Sequence, residues 1–72
     1  MTAMTEFENP LSEQEISILK LAANGMENTQ IAKLLYISPH TVKAHLTAIY
    51  RKLGVANRTQ AVYVAYKNKL IS

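Results

Sequence analysis

His40, Lys43, Ala44, Thr47 and Arg51 recur at intervals of three and four residues, which at about 100° per residue puts them on one side of a helix. The set holds two permanent cations, a titratable ring, a hydroxyl and one small residue, and no acid occurs between Pro39 and Leu53. Long cationic side chains reach guanine acceptors or phosphates, and a small residue lets the backbone approach base edges or a thymine methyl. A solvated basic face is the competing account. The absence of glutamate weighs against it, because exposed helices usually intersperse Glu with Lys. Thr41 falls in the first turn, where a hydroxyl and free backbone N–H groups suit a phosphate; it serves equally as a partner of the Ser38 cap. His45 lies on the flank of the apolar stripe opposite. With two histidines and no cysteine in the chain, it reads as packed or backbone-bonded rather than as a metal ligand.

A helix that presents this face must be anchored by its other side, and Val42, Leu46, Ile49 and Leu53 form the buried stripe that does so. Start and stop signals bracket four helices. Ser12 and Glu15 make a capping box for the first, which carries Ile16, Ile18, Leu19, Leu21, Ala22 and Ala23 and stops at Gly25 as its C-cap. Asn28 caps a second of about two turns with Ile31, Ala32, Leu34 and Leu35. Ser38-Pro39, an N-cap followed by proline in the first helical position, restarts the chain as the third, which runs to Gly54. Asn57 caps the fourth, from Arg58 to about Lys69. The expected fold is all-α, a four-helix bundle that contains a helix-turn-helix, with residues 11–72 as the domain and residues 1–10 as a flexible tail. A short bracing helix, a tight turn and a longer helix is the arrangement that inserts its second member into a major groove.

The charge distribution points to a polyanion. The net charge is +3, but all five acids (Glu6, Glu8, Glu13, Glu15, Glu27) precede Asn28 and face only Lys20 there, a balance of −4. From Asn28 onward seven lysines and arginines meet no acid, a balance of +7. Such a surface displaces counterions from nucleic-acid phosphates; an anionic membrane surface is the other polyanion it would suit. With 72 residues one small domain is expected, burying roughly 60% of the surface its unfolded chain exposes. No cysteine is present to staple it, in keeping with a reducing cytoplasm. The first ten residues lack the cationic start and apolar run of a signal peptide, and the longest apolar run, Ala61–Tyr66, is far short of the roughly 20 residues a membrane span needs. There is no Asp, no Cys and no glycine-rich phosphate loop, so no catalytic constellation is found and no cofactor or metal is expected.

Four segments in fixed order carry a family resemblance: Gly25-Met26-Glu27-Asn28-Thr29-Gln30-Ile31-Ala32, Ile37-Ser38-Pro39-His40-Thr41-Val42-Lys43-Ala44-His45, Lys52-Leu53-Gly54-Val55 and Arg58-Thr59-Gln60-Ala61-Val62. The chain resembles the LuxR/GerE-type helix-turn-helix domains of bacterial transcription regulators, from Leu11 to Ile71. The resemblance implies a third helix that reads double-stranded DNA, with base contacts at Lys43, Ala44 and Thr47, the three that the helical face also selects. It implies phosphate contacts near Thr41, Lys52 and Asn28, to which the face adds His40 and Arg51. It further implies a homodimer through the fourth helix, where Tyr63, Tyr66 and Lys67 face away from Ala61, Val62 and Ala65. Exposed tyrosines suit an interface, although solvent-facing aromatics would look the same. RNA polymerase is a further candidate partner, no small-molecule ligand is expected in this chain, and the place of action is the bacterial cytoplasm at the nucleoid. The chain departs from the family at Gln14, usually Arg, at Ser17 and Gln30, each usually Glu, and at Lys69, usually Gly. No sensor domain precedes the motif, which fits a free-standing regulator or an excised domain. The alternative function is a helical interaction module that pairs with a full-length regulator and antagonises it.

Overall fold

The computed structural model describes residues 9–71. It contains four helices, α1 (Glu13–Ala23), α2 (Asn28–Leu35), α3 (Pro39–Leu53) and α4 (Arg58–Lys67), and no strand among the described residues. The all-α expectation holds, and the third and fourth helices start where the caps place them. Ser38 Oγ accepts from the Thr41 amide at 3.0 Å, and Asn57 Oδ1 accepts from the Gln60 amide at 2.9 Å. At α1 the capping box is reciprocal, with Ser12 Oγ accepting from the Glu15 amide at 3.1 Å and Glu15 Oε1 from the Ser12 amide at 2.9 Å. The start of α2 differs from expectation. Glu27, not Asn28, is its N-cap, and the Glu27 amide donates to Gln30 Oε1 at 2.9 Å. Asn28 is the first helical residue, and its side-chain oxygen accepts from Arg58 Nη2 at 3.0 Å instead of from its own helix.

All four helices end in the same way. The chain turns left-handed at Gly25 (φ 89°), Tyr36 (φ 60°), Gly54 (φ 69°) and Lys69 (φ 60°). The next amide then reaches back to a carbonyl five residues earlier, Met26 to Leu21, Ile37 to Ala32, Val55 to Tyr50 and Leu70 to Ala65, at 2.7–3.2 Å. This is the Schellman arrangement. The residue after each left-handed position (Met26, Ile37, Val55, Leu70) packs against the core, so each stop is fastened by an apolar side chain. Gly25 lies one residue past the C-cap Asn24, where the sequence had made it the cap itself. L-residues, unlike achiral glycine, disfavour this conformation, yet two of the four stops use Tyr and Lys.

The core comprises Leu11, Ile18, Leu19, Ala22, Ile31, Ala32, Val42, Leu46, Ile49, Ala61, Ala65 and Ile71. Helix α3 packs on each of the other three helices, and α1 also packs on α2 and α4. Of its expected stripe, Val42, Leu46 and Ile49 are buried and Leu53 is half-buried at the edge. The region assigned to a tail falls mainly on residues 1–8, outside the described residues. Asn9, at its end, is tied in: its side-chain amide donates to the Leu70 carbonyl at 3.1 Å and its side-chain oxygen accepts from the Leu11 amide at 2.9 Å.

Candidate nucleic-acid interface

Because Val42, Leu46 and Ile49 hold one side of α3 in the core, the residues between them point outward. His40, Lys43, Ala44, Thr47 and Arg51 are all exposed, and Thr41 is half-buried. Its hydroxyl lies 2.9 Å from Ser38 Oγ, so the first turn is locked before any ligand arrives. The only ion pair among the described residues joins Lys52 Nζ to Glu15 Oε1 at 2.8 Å. Neither Lys43 nor Arg51 is neutralised by a carboxylate there, and the face keeps its full positive charge.

Two of the expected backbone contacts have structural partners as well. Lys52 anchors the end of α3 to α1, with 40% of its side chain still exposed against 7% for Glu15. An ammonium has three donors, and one is used. Asn28 accepts from Arg58 through its oxygen, which leaves its NH2 group free to donate.

Arg58 was not singled out by sequence reasoning. Its guanidinium donates to the Met26 carbonyl at 2.8 Å and to Asn28, joining the start of α4 to the loop between α1 and α2. A signal was available: Arg58 opens a helix whose first turn holds no acid, where the helix dipole disfavours a cation. A basic residue in that place needs partners elsewhere. Glu15 was seen only as a capping residue; it also closes α1 onto α3 through Lys52.

Burial pushes the Glu15 carboxyl up, but the hydrogen bonds from Lys52 and the Ser12 amide, with the charges of Lys52 and His45, outweigh this and hold it below its ordinary value. A depressed carboxylate stabilises the fold above its unfolded value of about 4.3, and the contribution is lost as pH falls through the lower folded value. Glu15→Gln is therefore expected to reduce the difference in urea midpoint between pH 7 and pH 3. An unchanged difference would mean that other carboxylates govern the acid limb.

On α4, Ala61 and Ala65 face the core, while Tyr63 and Tyr66 are 63% and 47% exposed. Lys67 Nζ sits 5.7 Å from the centre of the Tyr63 ring, a cation–π distance. Among the described residues no three His, Cys, Asp or Glu side chains gather as a metal site, and no helix is long and apolar enough to cross a membrane.

The family model "Bacterial regulatory proteins, luxR family" matches residues 9–65, which takes in all three of the buried α3 anchors and the whole exposed face. The chain belongs to the luxR family. Luxr-type relatives include the transcriptional regulatory protein LiaR of Bacillus subtilis, 44% identical over 62 residues, 86% of this chain and 29% of LiaR. The response regulator protein VraR of Staphylococcus aureus (strain NCTC 8325 / PS 47) is 42% identical over 71 residues, 99% of this chain and 34% of VraR. The crystal structure of the response regulator ChrA, from a heme-sensing two-component system, superposes with a TM-score of 0.82 at 51% identity, over 85% of this chain and 30% of ChrA. The chain spans about a third of the length of each of these proteins. The luxR family is one of DNA-binding transcriptional regulators, and this chain is a helix-turn-helix domain of that type.

Proposed function

We propose that the chain is a sequence-specific reader of double-stranded DNA that regulates transcription in the bacterial cytoplasm, at the nucleoid. The observation that carries this is the outer face of α3: exposed, cationic, free of carboxylate partners and braced from behind by a buried stripe. Lys43, Ala44 and Thr47 contact bases. Thr41, His40 and Arg51 contact the sugar-phosphate backbone, joined by Lys52 through its remaining donors and by Asn28 through the amide that Arg58 orients. Two copies pair through α4, with Tyr63, Tyr66 and Lys67 at the interface, and read half-sites about one helical turn apart, near 10 bp centre to centre. RNA polymerase is the further partner this role implies.

Selection of sites from a random DNA pool, followed by titration of the winner against scrambled DNA at two salt concentrations, tests the reading. A two-fold motif strongly preferred over scrambled DNA supports it. Binding that is weak, equal for both DNAs and abolished by modest salt leaves only the electrostatic term, and the interaction-module account would replace it. Changing Tyr63 and Tyr66 together to serine is expected to leave the monomer folded, since both rings are exposed, and to reduce cooperative binding to paired half-sites. Unaltered cooperativity in a gel-shift titration would place the dimer contact on another face.

A further inference from the structure

Among the described residues Tyr36 is the most exposed of the large apolar side chains, at 94%, so its ring contributes almost nothing to the core. Its backbone is left-handed, at φ 60° and ψ 40°, and the same chain uses glycine for this task at Gly25 and Gly54. Glycine would meet the backbone requirement here at least as well, so the fold makes no use of the phenol and leaves it free to act outside. Its place limits what it can do there. It lies two positions before Ser38, the cap of α3, which keeps their Cα atoms within about 7 Å. Lys33, three residues before it in the chain, is exposed, and no acid occurs anywhere from Asn28 to Ser72. A neutral hydrogen-bond donor in an acid-free stretch of chain, two residues before the helix that carries the basic face, is matched by an anionic acceptor.

We propose that Tyr36 is a DNA-backbone contact, donating its phenol hydroxyl to a phosphate oxygen flanking the groove occupied by α3. This rests on the DNA-binding function proposed above. The contact reads no sequence, because phosphates position a protein without specifying bases. It also adds no cation, so it leaves the salt dependence alone.

The test titrates the 72-residue chain, Tyr36→Phe and Tyr36→Gly against the selected site and scrambled DNA over a salt series, with thermal melts of each protein. A hydrogen bond to a charged acceptor predicts a loss of about tenfold for Tyr36→Phe, equal on both DNAs, with an unchanged salt slope and melting temperature. Tyr36→Gly should bind at least as weakly while melting several degrees higher, since it relieves the left-handed strain. Wild-type affinity in both variants overturns the proposal, as does a loss confined to the selected site, which would mark a base contact. If the unaltered chain binds neither DNA, the DNA-binding reading itself fails; if it binds and the variants bind equally well, only the role of Tyr36 does.

Discussion

Lys43→Ala is expected to weaken binding to the selected site by about 1–3 kcal/mol, roughly 5- to 150-fold in Kd, the scale of one lost base contact. Lys43 lies on the exposed face of α3, in its second turn, with no carboxylate partner among the described residues, so its truncation leaves nothing buried unsatisfied. The melting temperature should be unaltered. The distinguishing measurement is the ratio of affinities for selected and scrambled DNA. A ratio that falls with the substitution marks a base contact; equal losses on both DNAs would reassign Lys43 to the phosphates.

The opposite face of the same helix should behave in the reverse manner. Ile49 is fully buried, and truncating a buried Ile to Ala costs about 2–5 kcal/mol. A chain of 72 residues has a total stability of about 4–11 kcal/mol, so Ile49→Ala is expected to remove about a fifth of it or more and to lower the melting temperature by about 8 °C or more. Urea unfolding checks this directly. Any DNA affinity that survives at low temperature should keep its preference for the selected site, because the reading face is untouched. A mild effect on stability with lost preference would mean that the two faces had been assigned the wrong way round.

Much of this division was legible in the residues alone. Period-3.6 spacing put Val42, Leu46 and Ile49 on one side of a helix and Lys43, Ala44 and Thr47 on the other, and the structure places them so. Helix starts were legible where a short polar side chain faces its own backbone, at Ser12, Ser38 and Asn57. Asn28 misled for the same reason, since it has the right chemistry for a cap and spends it on Arg58, 30 residues away. Helix ends were legible only where glycine marks them. Tyr36 and Lys69 adopt the same left-handed geometry without that mark, and the expected end of the fourth helix at Lys69 overran the observed one at Lys67. Long-range partners left the weakest trace. Nothing local tells Glu15 that Lys52 will lie beside it, because the pairing exists only once α1 and α3 have packed.

The strap formed by Arg58 has a mechanical consequence for the dimer proposed above. Helices α2 and α4 do not pack on each other, but Arg58 ties the start of α4 to Met26 and Asn28 at the entrance to α2, and α3 is wedged against both. The helix that would pair two copies therefore packs directly on the helix that would read each half-site. With about 10.5 bp per turn, inserting one base pair between half-sites rotates one against the other by about 34°. A domain braced in this way resists such a swivel between its two helices, so the phase of the operator would be dictated by the protein, as the pitch of a nut dictates the bolt it accepts.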